Sequence, residues 1–433
     1  MSFLKVLGFD PAKHNVKTEI VAGITTFLTM AYILAVNPDI FSALEEMGMP
    51  KGAVFTATAL AAIVGTLVMS IYAKKPYALA PGLGLNAFFV YTVCLTMGYS
   101  WQFALTAVLI EGIIFIILTV TNVREAIINA IPKSMKSAVS AGIGLFIAFI
   151  GLVNAGIIVD DGGTIISLGT ITSGPALLAI VGLVITSVMM ILKVPGAMLI
   201  GIIVTAIIGI PFGITKFDGV VSAVPSVAPI FWKFEFHNIL TWDMIIVVFT
   251  FLFIDMFDTI GTVIGVSKKA NTMNPDGTIP GVKKVLMADA VATVWGAICG
   301  TSTTTTYVES ASGVAEGGRT GLTSFTVAIC FAIALFFAPV FLAIPSAATA
   351  PALILVGVMM MSSILDVDFN DFSECIPAYI CMIVMPLAYS ISDGIMLGMI
   401  SFVVLNALTG KFKKISVMMW ILAILFILRY ILL

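Results

Sequence analysis

The sequence predicts an all-α polytopic membrane protein. About fourteen spans form two repeats of seven in opposite orientation, and the broken third and tenth spans each contain a short strand. Three observations predict it. The chain is 60% hydrophobic with only 10% charged residues and a mean hydropathy of +1.15, whereas about a quarter of a soluble domain's residues are charged. Apolar runs close to the roughly 20 residues that cross a bilayer recur from Glu19 to Leu408. The two halves also resemble each other in consistent order, as an inverted-repeat transporter requires.

The spans fall at 18–37, 53–73, 78–98, 101–121, 138–158, 174–193, 195–212, 243–265, 283–300, 303–314, 320–342, 346–363, 373–391 and 393–410. The opening "MSFLKVLGFDPAKHNVKTE" lacks the basic start and small-residue cleavage site of a secretory signal, so the N-terminus is expected to be retained. The last apolar stretch, "VMMWILAILFILRYILL", fits either an interfacial helix or a further span.

Charge placement orients the spans. Lys13, Lys17, Lys74, Lys75, Arg124, Lys133, Lys136, Lys193, Lys268, Lys269, Lys283, Lys284, Arg319, Lys411, Lys413 and Lys414 fall on one side. The other side has Lys51, Lys216 and Lys233 with the acidic Glu45, Glu46, Asp160 and Asp161. Cationic loops stay in the cytoplasm, which predicts a multi-pass protein of the cytoplasmic membrane with both termini inside and an even number of spans. The net charge of −2 gives no basic surface for nucleic acid.

Three matches carry the internal repeat. "TTFLTMAYILAV" (25–36) lies over "FTFLFIDMFDTIGT" (249–262), "IPKSMKSAVSAGIG" (131–144) over "IPSAATAPALILVG" (344–357), and "GAMLIGIIVTAI" (196–207) over "GIMLGMISFVVL" (394–405), at offsets of 224, 213 and 198. Near the first offset, "ALAPGLGLNAFF" (78–89) lies over "TSTTTTYVESAS" (301–312) and sets Asn86 against Glu309. Both segments resist a regular helix. Pro81, Gly82 and Gly84 break one; a β-branched threonine run followed by Gly313, Gly317 and Gly318 weakens the other. Irregular backbone at membrane depth is tolerated only inside protein or along a cavity, so the two lines are expected to meet in the interior. Short helices leaving them would turn their positive N-terminal ends toward the centre.

Ionised side chains at mid-span cost about 2.5–3.5 kcal/mol even on the mildest scale and need a reason. Five lie away from span ends: Glu111, Asp255, Asp258, Asp289 and Glu309. Asp255 and Asp258 are three apart and share a helix face. Three carboxylates in a dry site cannot all stay ionised, so Asp255, Asp258 and Glu309 are the candidate proton-coupling groups. Either aspartate could instead cap a broken segment. Glu111 and Asp289 read as structural, and Glu316, beside Arg319, as a solvated loop charge.

Phe251, Phe253 and Phe257 flank the aspartates and Phe88 and Phe89 follow Asn86, so a flat ring could be sandwiched there with about 0.5–1.5 kcal/mol from stacking. Carboxylates accept and an amide both donates and accepts, which suits a neutral heterocycle and suits an inorganic anion poorly. The candidate binding set is Glu309, Asp258, Asn86, Asp255, Phe251 and Phe88, with Thr26 from the first repeat match and Thr306 from the threonine run. Cys94, Cys299, Cys330, Cys375 and Cys381 have neither metal-site nor disulfide spacing, and His14 and His237 fall outside the spans. No cofactor, metal or catalytic group is expected, and the chain is not read as an enzyme.

The set "PGLGLNAFF", "FIDMFDTIGT", "GTSTTTTYVESASGV" and "EGGRTGLT", within a likeness running from "MAYILAVNP" to "SDGIMLG", resembles the adenine/guanine/hypoxanthine permease family. This is the AzgA-like branch of the nucleobase–cation symporter class. The resemblance implies a core domain of spans one to four and eight to eleven (1–121 and 243–342) and a gate domain of spans five to seven and twelve to fourteen (122–242 and 343–410). Residues 411–433 stand apart. It implies uptake of a purine nucleobase by proton symport across the cytoplasmic membrane, with an elevator-like movement of core against gate; a homodimer is allowed. Asp255, Asp258 and Glu309 would bind base and proton, supported by Asn86. Uracil-transporting relatives carry a histidine where this chain has Thr262, so coupling through that histidine does not transfer. The alternatives weighed are an anion carrier on the same architecture, an intramembrane aspartyl protease and a gated channel.

Overall fold

The computed structural model describes residues 2–121, 132–217, 219–237, 239–270, 272 and 279–432. Arg124 and Ile131 lie outside the described residues, as do the side chains of Phe257, Lys268 and Lys269.

Fourteen spans in two inverted repeats of seven account for the chain up to Leu408. Span 1 is in two pieces, Val16–Met30 and Ile33–Phe41. Its first turn is capped by Asn15, whose side chain accepts from the N–H groups of Lys17 and Thr18. At the break the ladder tightens to bonds three residues back, from Leu34 to Ala31 and from Ala35 to Tyr32. The break comes just ahead of Pro38, which lacks an N–H and crowds the carbonyl four residues before it. Span 2 is Lys51–Ala73 and span 4 is Trp101–Thr121. Spans 5, 6 and 7 are Lys133–Asn154, Gly174–Ile191 and Ala197–Gly209. Spans 8 and 9 are Trp242–Lys269 and Val282–Cys299, and span 11 is Gly321–Leu342. Spans 12, 13 and 14 are Ser346–Met361, Phe372–Leu387 and Ile391–Leu408.

Spans 3 and 10 are the broken ones. Span 3 opens with β1 (Leu79–Pro81) and continues as helix over Leu83–Thr96. Between spans 5 and 6 runs a hairpin, β2 (Ile158–Asp161) with β3 (Ile165–Leu168). Span 10 opens with β4 (Thr304–Thr306), followed by the helix Ser310–Ala315. β1 and β4 pair antiparallel, Leu79 with Thr306, Ala80 with Thr305 and Pro81 with Thr304. The ladder extends by bonds from Gly82 N–H to Thr303 O (3.0 Å) and from Tyr307 N–H to Ala78 O (2.9 Å). It is centred on Ala80 and Thr305, 225 residues apart, close to the offset read from the sequence. Two strands paired side by side satisfy each other's backbone where lipid could not.

Close helix crossings are made at glycines. A Cβ on Gly65 of span 2 would stand 2.8 Å from Ala292 Cβ of span 9. Spans 5 and 12 cross at Gly144 and Gly357. The β2–β3 hairpin was not expected, since Ile158 was placed inside span 5. The helix ends at Asn154, where Gly156 takes a positive φ of 70° and the N–H groups of Gly156 and Ile157 donate to Val153 O and Leu152 O; the hairpin then turns at Asp161-Gly162-Gly163-Thr164, with Asp161 Oδ1 accepting from Gly163 N–H (2.8 Å) and Thr164 N–H (3.0 Å).

The closing helix, Val417–Leu432, runs back along span 14. Tyr430 donates to Asp393 Oδ1 (2.6 Å) near the start of that span, and Phe426 packs on Phe249 of span 8 with ring centroids 5.5 Å apart. Lys411 and Lys414 sit at the other end, bound to Asp371. Sixteen residues of helix rise about 24 Å, so this segment reaches across most of a roughly 30 Å hydrocarbon core.

Candidate functional site

A cavity of about 370 Å³ lies beside the β1–β4 ladder. One wall comes from the break in span 1 (Tyr32), the start of the span 3 helix (Gly82, Leu83, Gly84), span 8 (Ile254, Asp258, Thr262) and the end of β4 with the turn after it (Thr306, Tyr307, Val308, Glu309). The facing wall comes from span 5 (Val139, Ser140, Ile143), span 12 (Val356, Met359, Met360) and Ser362 and Ser363 beyond it. That facing wall stands near the Lys133 end of span 5, where Ser363 donates to Ser137 O (3.1 Å) and Lys133 pairs with Asp366 (2.6 Å). Toward the other end of span 5, Tyr389 packs its ring against Tyr91, Phe146 and Phe149, and Asn154 donates to Tyr91 Oη (3.2 Å).

Of the eight residues expected from sequence, Asp258, Glu309 and Thr306 line the cavity. Glu309 begins the Ser310–Ala315 helix without capping it, and its Oε1 accepts from Tyr32 Oη (2.6 Å). Its carbonyl is held by Ser312 Oγ (2.6 Å), which also bonds Thr29 Oγ1 (2.9 Å). Asp258 faces the start of span 3, where a Cβ on Gly82 would lie 3.7 Å from Asp258 Oδ2 and 2.9 Å from Thr305 Cγ2. The Cβ would crowd Thr305 Cγ2 and Leu85 Cδ1 (2.9 Å each) and meet the carboxylate at ordinary contact distance, so glycine serves the close approach of the ladder.

Asp255, Asn86, Phe88, Phe251 and Thr26 are buried behind this wall and do not line it. Asp255 Oδ1 bonds Thr259 Oγ1 (3.0 Å), one turn along span 8. Asn86 accepts from Ser302 Oγ and ties span 3 to the entry of span 10. Phe88 and Phe251 pack edge to face at 4.8 Å, with Phe89 against Phe41 beside them. Their rings fill the protein behind the ladder, so the expected sandwich of phenylalanines is not on the cavity. Thr26 sits where span 1 crosses span 10, with its Oγ1 2.1 Å from a Cβ built on Gly313. The side chain of Phe257 is outside the described residues.

Sequence reasoning missed Tyr32 and Tyr307, the aromatic side chains that reach the cavity among the described residues. Tyr307 donates to Pro81 O and closes the end of the ladder. A tyrosine in mid-span carries a hydroxyl that needs a partner when buried, and that was the signal in "MAYILAV" and "TTTTYVE".

The threonine run is anchored by acids. Thr303 donates to Glu111 Oε2 (2.6 Å), Thr305 bonds Thr259 (2.7 Å), and Thr306 gives both its N–H (2.9 Å) and its hydroxyl (3.1 Å) to Asp289 Oδ1. Asp289 Oδ2 accepts from Thr259 (2.8 Å). Alternate strand residues point to opposite sides, so Thr303 turns to Glu111 of span 4 while Thr306 turns to Asp289 of span 9. Glu111 and Asp289 thus hold the strand in place, as pairing predicts.

A cavity with two carboxylates, hydroxyls and the opening N–H groups of a half-helix, inside an inverted-repeat bundle, defines a membrane transport protein that binds a small polar solute. The sequence profile described as the Permease family matches residues 17–397, and the chain belongs to that family. A protein named as a permease in Methanocaldococcus jannaschii is 49% identical over 99% of this chain and 98% of its own. The guanine/hypoxanthine permease PbuG of Bacillus subtilis is 45% identical over 98% of both chains. The adenine permease AdeQ of Escherichia coli is 41% identical over 96% of this chain and 94% of its own. Among solved structures, the transmembrane domain of the cyanobacterial bicarbonate transporter BicA superposes with a TM-score of 0.65 over 89% of this chain and 97% of its own, at 17% identity. That likeness establishes the inverted-repeat fold.

Proposed function

We propose that the protein is a secondary active transporter that imports purine nucleobases (hypoxanthine, guanine or adenine) across the cytoplasmic membrane together with protons. The carrying observation is that Asp258 and Glu309 line one cavity at the meeting point of the two broken spans. Carboxylates accept ring N–H groups, while the Thr262 hydroxyl and the first N–H groups of the span 3 helix can serve carbonyl and ring-nitrogen acceptors. Relatives at 41–45% identity named for guanine, hypoxanthine and adenine support the same class of solute. The fold is shared with an anion carrier and does not select the solute; two acids facing the cavity disfavour an anion.

The division into a core (1–121 and 243–342) and a gate (122–242 and 343–410) matches the two cavity walls, and motion of one against the other would carry the site across the membrane. The lysine-bearing end is assigned to the cytoplasm, which makes this an inward-facing arrangement with the Tyr91–Tyr389 contact closed on the outer side. Coupling is assigned to Asp258 and Glu309, with Asp255 acting from behind the wall through Thr259.

Uptake of radiolabelled hypoxanthine into proteoliposomes tests the reading, with a panel of purines and pyrimidines as competitors and with and without a proton uncoupler. Purines should compete, pyrimidines should not, and accumulation should collapse with the uncoupler. Uptake that is purine-blind, or accumulation indifferent to the uncoupler, contradicts it.

A further inference from the structure

Glu309 has two oxygens, and the structure gives one of them to a tyrosine. Tyr32 lies at the break in span 1, is 1% exposed, lines the cavity, and places its hydroxyl 2.6 Å from Glu309 Oε1. An ionised carboxylate only accepts, so Tyr32 is the donor. Glu309 makes no capping bond at the head of its helix, and beside its own backbone N–H the Tyr32 hydroxyl is the side-chain group that holds its carboxylate.

We propose that Tyr32 is a positioning residue for solute recognition: its hydroxyl holds Glu309 Oε1 and so reserves Oε2 to accept a ring N–H of the bound base. The inference rests on the purine reading above and assigns a role to a span that neither broken segment belongs to. It makes a prediction with an unusual sign. In Glu309→Gln the amide oxygen is drawn to Tyr32 and the NH₂ group is turned to the solute, donor against donor. Removing the Tyr32 hydroxyl as well lets the amide flip and offer its oxygen to the base. A purely structural tyrosine gives no such recovery.

The test is equilibrium binding of radiolabelled hypoxanthine to purified wild type, Tyr32→Phe, Glu309→Gln and the double variant, with thermal denaturation to confirm folding. Each single change should weaken binding roughly tenfold or more, the worth of a hydrogen bond to a charged group. The double variant should bind more tightly than Glu309→Gln alone. Competition uptake in intact cells reads the same order if Tyr32→Phe proves unstable in detergent. A double variant no better than Glu309→Gln, beside a wild type that binds, overturns the role of Tyr32 alone. A wild type that binds no purine overturns the purine reading and this inference with it.

Discussion

Gly144 of span 5 and Gly357 of span 12, which the internal repeat aligns at an offset of 213, touch each other. A Cβ on Gly357 would lie 2.4 Å from Gly144 O, and one on Gly144 would lie 2.8 Å from Gly357 O. Residues equivalent by the repeat meet in space only near the axis that relates the two halves. The Pro81–Thr304 pair, aligned at an offset of 223, does the same for the broken spans.

Gly357→Ala forces a methyl group into backbone and should cost about 1–3 kcal/mol by overpacking. Thermal denaturation of the purified variant should show a lowered midpoint, with Gly144→Ala similar and the pair not additive because they share one contact. An unchanged midpoint for Gly357→Ala would mean that spans 5 and 12 do not cross this closely.

Asp258→Asn keeps the shape of the side chain and removes its charge at the cavity. Concentrative hypoxanthine uptake in proteoliposomes should become insensitive to an imposed proton gradient or be lost, while facilitated exchange can persist. Wild-type uphill uptake in this variant would remove Asp258 from coupling.

Much of this was legible in the sequence because hydrocarbon leaves the backbone few options. Apolar length marked the spans, Pro81, Gly82 and the threonine run marked the breaks, and the expense of buried charge picked out Asp258 and Glu309. What was not legible depended on rotation about helix axes. Asp255 and Asp258 are three residues apart, about 60° around a helix, and that difference puts Asp258 on the cavity and Asp255 behind it against Thr259. Phe88 and Phe251 were placed by neighbourhood in sequence, yet their rings point into the packed interior. Nor could hydropathy tell a returning helix from an interfacial one over Val417–Leu432; the Tyr430–Asp393 and Phe426–Phe249 contacts decide it.

Asp371, ahead of span 13, receives hydrogen bonds from Lys414, Ser373 and Lys411, and these hold its carboxyl well below the usual range, Lys414 foremost. A depressed folded-state value means that the stabilisation is present above the ordinary carboxylate range and lost as pH falls through the folded value. The tie between Lys411–Lys414 and span 13 should thus persist at mildly acidic pH and loosen only under strong acid. Asp371→Asn should show no such acid dependence in proteolysis of the segment joining span 14 to the closing helix; equal cleavage of both proteins across the pH range would discount the tie.

Tyr389 sits in the left-handed backbone region (φ 53°) between spans 13 and 14, a conformation costing roughly 1–3 kcal/mol that the surroundings must hold in place. Its ring contacts with Tyr91, Phe146 and Phe149 are what hold it. Tyr389→Ala should open this end, and Asn154→Cys in that background should react faster with a membrane-impermeant thiol reagent applied outside. Equal reactivity in the presence and absence of the Tyr389 ring contradicts its place in the outer closure.

Asp289 ties the strand of span 10 to two neighbouring spans. Its Oδ1 takes two bonds from Thr306 and its Oδ2 one from Thr259, so one carboxylate joins span 9, span 8 and the strand that ends at Glu309. Asp289→Ala leaves the buried Thr306 N–H without this acceptor, at about 1–3 kcal/mol, and frees the Thr306–Glu309 segment to shift. Asp289→Asn keeps an oxygen for Thr306 and turns its NH₂ toward Thr259, whose hydroxyl can accept while it donates to Asp255. The alanine variant should therefore lose both thermal stability and hypoxanthine affinity, and the asparagine variant should recover most of each. Recovery of stability without affinity would show that the charge of Asp289, and not its grip on the strand, is what the site needs.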